Sequence, residues 1–193
     1  MVDQFLLWVD GVGGYRICLG GRVRIGQAVP GTEVEAPVFA DIGRHHATVT
    51  RDEEGYVLEA VKKTQVNGQP IDKAVLRDGD RLTLGSACQF QLGMAVSMSA
   101  TARLHLVSGH RFPNGVDAVF LLADSLVLGP DPEVHVEIAD LEQPLHLYRC
   151  GGRLGIHAAG EFSIDGRPCR DRGILESSSV VRGKGFSLAL EPV

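Results

Sequence analysis

The chain has 193 residues, 44% of them hydrophobic and 22% charged, with a mean hydropathy of +0.05. That is the balance of a folded chain with a core of its own, not of a disordered or collagen-like one. Its 19 Lys+Arg stand against 24 Asp+Glu, a formal net charge of −5, so the global field repels a nucleic-acid backbone or an anionic membrane, and neither is expected as a partner. Cys18, Cys88, Cys150 and Cys169 include no C-x-x-C pair, which leaves neither a zinc knuckle nor a thioredoxin-type motif, and no metal or cofactor is expected. Scattered thiols suit a reducing compartment. The run Phe5–Val9 is too short and wrongly flanked for a signal peptide or membrane span, so the chain reads as cytoplasmic.

In chain order, Phe5–Val9 and Tyr15–Leu19 flank the turn Asp10-Gly11-Val12-Gly13-Gly14, which is hairpin grammar. Val23-Arg24-Ile25 alternates inward and outward. Ala47–Thr50 and Tyr56–Glu59 flank Asp52-Glu53-Glu54-Gly55, and Arg81–Leu84 follows Asp78-Gly79. With 24 Gly and 9 Pro, few windows hold a three-turn helix, and the expected class is all-β.

Sliding the chain by 98 residues lays Val66-Asn67-Gly68-Gln69-Pro70 on Ile164-Asp165-Gly166-Arg167-Pro168, and Leu6, Trp8 and Val9 on Leu104, Leu106 and Val107. Leu58, Leu76, Leu82 and Gly85 likewise fall on Ile156, Ile174, Val180 and Gly183. The repeat predicts two β-domains, residues 1–94 and 103–193, joined by an Ala- and Ser-rich linker at 95–102.

The first half carries, in order, Ile25-Gly26-Gln27, Asp41-Ile42-Gly43-Arg44-His45-His46-Ala47, Val66-Asn67-Gly68 and Leu76-Arg77-Asp78-Gly79-Asp80-Arg81-Leu82. Together these resemble a forkhead-associated (FHA) domain across roughly residues 5–94, and the second half resembles a degenerate copy. The resemblance implies two tandem FHA-like sandwiches of antiparallel strands whose end loops hold a phosphothreonine peptide, and so a non-catalytic protein-interaction module in signalling or complex assembly. Gly26, His46, Asn67, Gly68, Asp78 and Gly79 match structural positions of the pattern. Gln27 stands where the family has the Arg of Gly-Arg, and Gly43 where it has the Ser of Ser-Arg-x-His. Lys62 aligns near the Asn of the first Asn-Gly loop. In the second half, Pro130 and Glu142-Gln143-Pro144-Leu145 replace the two phosphate-holding elements.

An Arg fork or hydroxyl on a phosphate contributes about 1.5–3 kcal/mol each, so their loss predicts weakened or absent phosphothreonine recognition. The expected partner is a protein or peptide, phosphorylated or not. A second reading keeps phosphothreonine binding through a basic loop set of Arg44, His45, Lys62 and Lys63, and a third is a small β-rich enzyme. No Ser-His-Asp or Cys-His spacing supports the third, and the chain is read as a non-enzyme. Gly11-x-Gly13-Gly14 lacks the third glycine and following helix of a dinucleotide site and reads as a turn. Ser177-Ser178-Ser179 likewise reads as a turn, not a nucleophile.

Overall fold

The computed structural model describes residues 4–53, 55–96 and 99–193; Met1–Asp3, Glu54 of the acidic turn and residues 97 and 98 of the expected linker lie outside the described residues. Among the described residues eighteen strands form, and the sole helical element is a 3-10 turn at Pro113–Gly115. The all-β expectation holds.

The first half supplies nine strands: β1 (Gln4–Val9), β2 (Gly13–Cys18), β3 (Arg22–Gln27), β4 (Ala36–Val38), β5 (Ala47–Asp52), β6 (Gly55–Val66), β7 (Gln69–Leu76), β8 (Arg81–Leu84) and β9 (Cys88–Gly93). The second supplies β10 (Ala102–Leu106), β11 (Ala118–Leu121), β12 (Ser125–Gly129), β13 (Val136–Glu137), β14 (Leu145–Cys150), β15 (Arg153–Ile164), β16 (Arg167–Leu175), β17 (Val180–Gly183) and β18 (Phe186–Pro192). In the first half β6 is the organiser. Its start pairs with β5, its end with β8, and β7 follows it on the other side, with a register shift between Glu59 and Thr64. In the second half β15 repeats this with β14, β17 and β16, its shift lying between His157 and Glu161.

The two halves are not packed as the sequence divides them. β1 pairs with β2 and with β18 at the far end of the chain, Leu7 opposite Leu190. β9 pairs with β10, Leu92 opposite Leu104, and β10 with β11. The first half's N-terminal hairpin therefore completes the second half's sheet, and the hairpin β10–β11 completes the first half's. Parallel pairing of β2 with β11, Tyr15–Cys18 against Ala118–Leu121, links both sets of strands into one connected network. Connections of three residues, 19–21 and 122–124, carry the chain across. The boundary at 95–102 is a division of the sequence, while the hydrogen bonding crosses it.

The cores show why. One apolar cluster joins Val23, Ile25, Val49, Tyr56, Leu58, Leu82 and Phe90 to Leu104, Phe112, Val119 and Leu121. The other joins Leu126, Leu147, Ile156, Phe162 and Leu188 to Phe5, Leu7, Val9, Tyr15 and Ile17. Successive residues point to opposite faces of a strand, so Leu6 faces the first cluster while Phe5 and Leu7 face the second. The ribbon β10–β11–β2–β1 is a wall shared by both cores, and at about 25 cal/mol per Å² it stabilises each. The expected linker is itself partly built in. Ala102 begins β10, Thr101 is fully buried, and its hydroxyl donates to Ser125 O at 2.7 Å while accepting from Ala123 N–H at 3.0 Å.

Candidate functional site

The loop joining β4 to β5, residues 39–46, lies over the start of β3. Gln27 N–H donates to Gly43 O at 3.0 Å and His46 N–H to Ile25 O at 2.9 Å. The crossing needs a residue without a side chain beneath it, since a methyl at Gly26 would overlap the Arg44 carbonyl oxygen. His46, 3% exposed, brackets the loop to the irregular stretch of β6. Its Nδ1 accepts from Gly43 N–H at 3.0 Å and its Nε2 lies 2.9 Å from Lys63 O, while its own carbonyl accepts from Val61 and Lys62 N–H. Those partners specify the neutral imidazole with its proton on Nε2. Burial lowers its pKa, the Lys63 carbonyl opposes that, and the Lys62 charge adds to it.

These contacts bring together the residues singled out in the sequence. A Cβ on Gly43 would lie 3.2 Å from Lys62 Cγ. Arg44, Lys62 and Lys63 are exposed, and Gln27, Gly43 and His45 half-buried. His45 is turned inward, its Nε2 2.7 Å from Thr48 Oγ1. The result is a mostly basic rim, with neither an Arg fork at position 27 nor a hydroxyl at 43. The adjoining loop of residues 28–35 is anchored by Glu35, which takes Arg24 Nη2 and Nε at 2.6 and 3.1 Å and Arg24 N–H at 2.7 Å. Burial pushes the Glu35 carboxyl up, but the Arg24 bonds outweigh it and hold it below the ordinary value.

Asn67, Gly68, Asp78 and Gly79 build turns away from that rim. Asn67, at φ 51°, donates through Nδ2 to Asp80 Oδ1 at 2.8 Å and accepts Arg81 N–H at 2.9 Å. Gly68 and Gly79 both have φ 82°, which favours glycine. Asp78 caps Met94 N–H at 2.6 Å. In the second half Asp165, at φ 52°, accepts Val180 N–H at 2.7 Å and the Ser179 hydroxyl at 3.1 Å. Asp165 and Ser179 thus replace Asn67 and Asp80, which accounts for Ser179 as a turn residue.

One residue at the rim went unnoticed in the sequence. Arg111, exposed in the loop between β10 and β11, accepts Phe39 N–H on its carbonyl at 2.9 Å, beside a Phe39 that is 55% exposed. No local motif places residue 111 beside residue 39; the exchanged hairpin does. Among the described residues no group of three His, Cys, Asp or Glu is placed to hold a metal ion. Nor is any helix long and apolar enough to cross a membrane.

A β-rich frame whose end loops carry the side chains is the form of a binding module. Residues 23–85 match the family model described as FHA domain, a protein-interaction module. Similar solved structures include one from a structural and functional analysis of phosphothreonine-dependent FHA domain interactions, 23% identical, covering 47% of this chain and 96% of that one, with a TM-score of 0.35. Another is the FHA-2 domain of the Mycobacterium tuberculosis ABC transporter Rv1747, 28% identical, covering 46% and 76%, with a TM-score of 0.30. The comparison with curated proteins finds no match.

Proposed function

We propose that the chain binds a protein or peptide partner without catalysis, in signalling or complex assembly in the cytoplasm, and that phosphorylation of the partner adds little. The observation that carries this is the pairing of Gln27 N–H with Gly43 O. It sets the two altered positions side by side, and neither side chain offers a cation or hydroxyl. With about 1.5–3 kcal/mol lost for each absent charged contact, a phosphate there loses its main anchors. We assign residues 103–193 to a second, degenerate FHA-like unit, supported by the shared β6 and β15 pairing and by the turn chemistry of Asn67 and Asp165. All four cysteines are free, and burial raises the Cys18 and Cys88 thiols to about 12, which fits a reducing compartment.

One observation favours the basic-rim reading. Lys62 lies beside Gly43, with Arg44 exposed next to it. Calorimetry with matched threonine and phosphothreonine peptides separates the two. The proposal expects less than about a tenfold difference. A preference above about a hundredfold, abolished by Arg44→Ala, would establish the basic rim as a phosphate reader instead.

A further inference from the structure

We infer that the chain holds a second binding site, unrelated to the loop rim, for a small amphiphilic anion: an apolar tail ending in a carboxylate. The site is a hollow of about 410 Å³ lined by residues of β1, β14, β15, β18 and the end of β16, within the roughly 300–1,000 Å³ of small-molecule pockets. Its floor is Phe5, Leu154, Leu175 and Leu190. Of these Phe5, Leu175 and Leu190 are at most 5% exposed and Leu154 half-buried. Arg149 and Arg153 stand at the mouth, with Glu176 as the one carboxylate among the lining residues.

The other half shows what fills such a place when it is closed. In register, Arg51 lies opposite Tyr56 and Tyr56 opposite Leu76; Arg149 lies opposite Leu154 and Leu154 opposite Leu175. Leu154 is thus the positional counterpart of Tyr56. The Tyr56 ring is 1% exposed, and its hydroxyl donates to Ala100 O, so ring and linker together occupy that position. Leucine at 154 is shorter by most of a ring and has no hydroxyl, and the space stays open over an apolar floor.

The mouth sets the charge. Arg149 is held by its Nη1–H bond to Leu19 O at 2.8 Å, a fixed donor group at the edge of the hollow. Arg153 is exposed and without an ion-pair partner among the described residues. Two guanidiniums against one carboxylate leave one positive charge in excess, and guanidinium planes suit a carboxylate's paired oxygens. An apolar floor under a cationic mouth selects an anion with a tail over either part alone.

The test uses the whole chain and three probes: octanoate, octylamine with the same tail and opposite charge, and acetate with the head alone. Methyl resonances of Leu154, Leu175 and Leu190 report occupancy, and calorimetry reports affinity. Octanoate is expected to bind saturably, about tenfold or more tighter than octylamine or acetate. Leu154→Tyr, which fills the hollow as Tyr56 fills its own, is expected to abolish binding. The surface change Arg153→Ala, which leaves the core intact, is expected to weaken octanoate by about fivefold. Three results would each overturn the inference: no saturable methyl shift with octanoate, equal binding of octylamine, or full binding by folded Leu154→Tyr. If that variant fails to fold, Arg153→Ala and the probe comparison decide alone.

Discussion

His135 gives the fold a defined acid limit. It is 3% exposed, its Nδ1 accepts Val127 N–H at 2.9 Å, and its ring meets the Phe120 edge at a centroid distance of 6.2 Å. Its Nε2 faces the Thr101 main chain without a hydrogen bond of ordinary geometry. Burial is the main cause that lowers its pKa from 6.5 to about 4; the Thr101 backbone opposes the shift and the His146 charge adds to it. Because the folded value lies below the unfolded one, the unfolded chain takes up the proton first. The stability carried by neutral His135 is therefore fully present above about pH 6.5 and is lost as pH falls toward 4. Linkage between those two values makes the loss about 3 kcal/mol at pH 4. His135→Asn removes the titration. Denaturant unfolding at pH 7 and pH 4 is therefore expected to show a pH-dependent loss about 3 kcal/mol smaller in the variant than in the parent. Burial also lowers the pKa of His46, His105 and His146, but they titrate in both proteins and largely cancel in the difference. An unchanged pH dependence in the variant would refute the reasoning, whatever the variant's stability at pH 7.

Gly26→Ala pushes a methyl into the Arg44 carbonyl oxygen and is expected to cost about 2–3 kcal/mol in a denaturant melt; a shift under about 0.5 kcal/mol would mean the loop moves freely. His46→Ala removes the acceptor for Gly43 N–H and the donor to Lys63 O, at about 2–4 kcal/mol. Hydrogen exchange should show faster exchange at the Gly43 and Lys62 amides in that variant, and unchanged protection there would remove His46 from its bracketing role. A protease site placed in residues 95–98 tests the exchanged hairpins. The cut halves should co-elute as one folded species under native conditions, because β1 stays paired with β18 and β9 with β10; two separately folded fragments would contradict the pairing.

What the sequence revealed and what it hid follow from the range of the interactions. Turns are local, and Asn67-Gly68, Asp78-Gly79 and the hairpin around Asp10–Gly14 were legible because positive φ and short side-chain caps restrict the residue types that fit. Strand positions were legible from alternating apolar residues. His46 stood out in the sequence only through the family resemblance, because its bond to Lys63 O spans 17 residues. The exchange of hairpins was not read, because Leu6, Trp8 and Val9 resemble Leu104, Leu106 and Val107 and either hairpin presents a similar edge to either body. A signal existed in the unbroken apolar runs Phe5–Val9 and Ala118–Ala123. A strand with one solvated face alternates, whereas one buried on both faces does not. Arg111 went unnoticed for the same reason, since only the exchange sets it beside Phe39.

The exchange also changes what the second half is for. In the loops of residues 103–193, Lys184 is occupied with Glu142 at 2.6 Å. By packing, that half supplies a wall of the first half's core. Leu104, Phe112, Val119 and Leu121 are each at most 5% exposed and sit in one cluster with Val23, Ile25, Leu58 and Phe90. Fully burying an aliphatic or aromatic side chain contributes about 1.5–3 kcal/mol, so these four together weigh as much as the 5–15 kcal/mol by which a whole domain is stable. The two halves are joined through cores to which each contributes side chains.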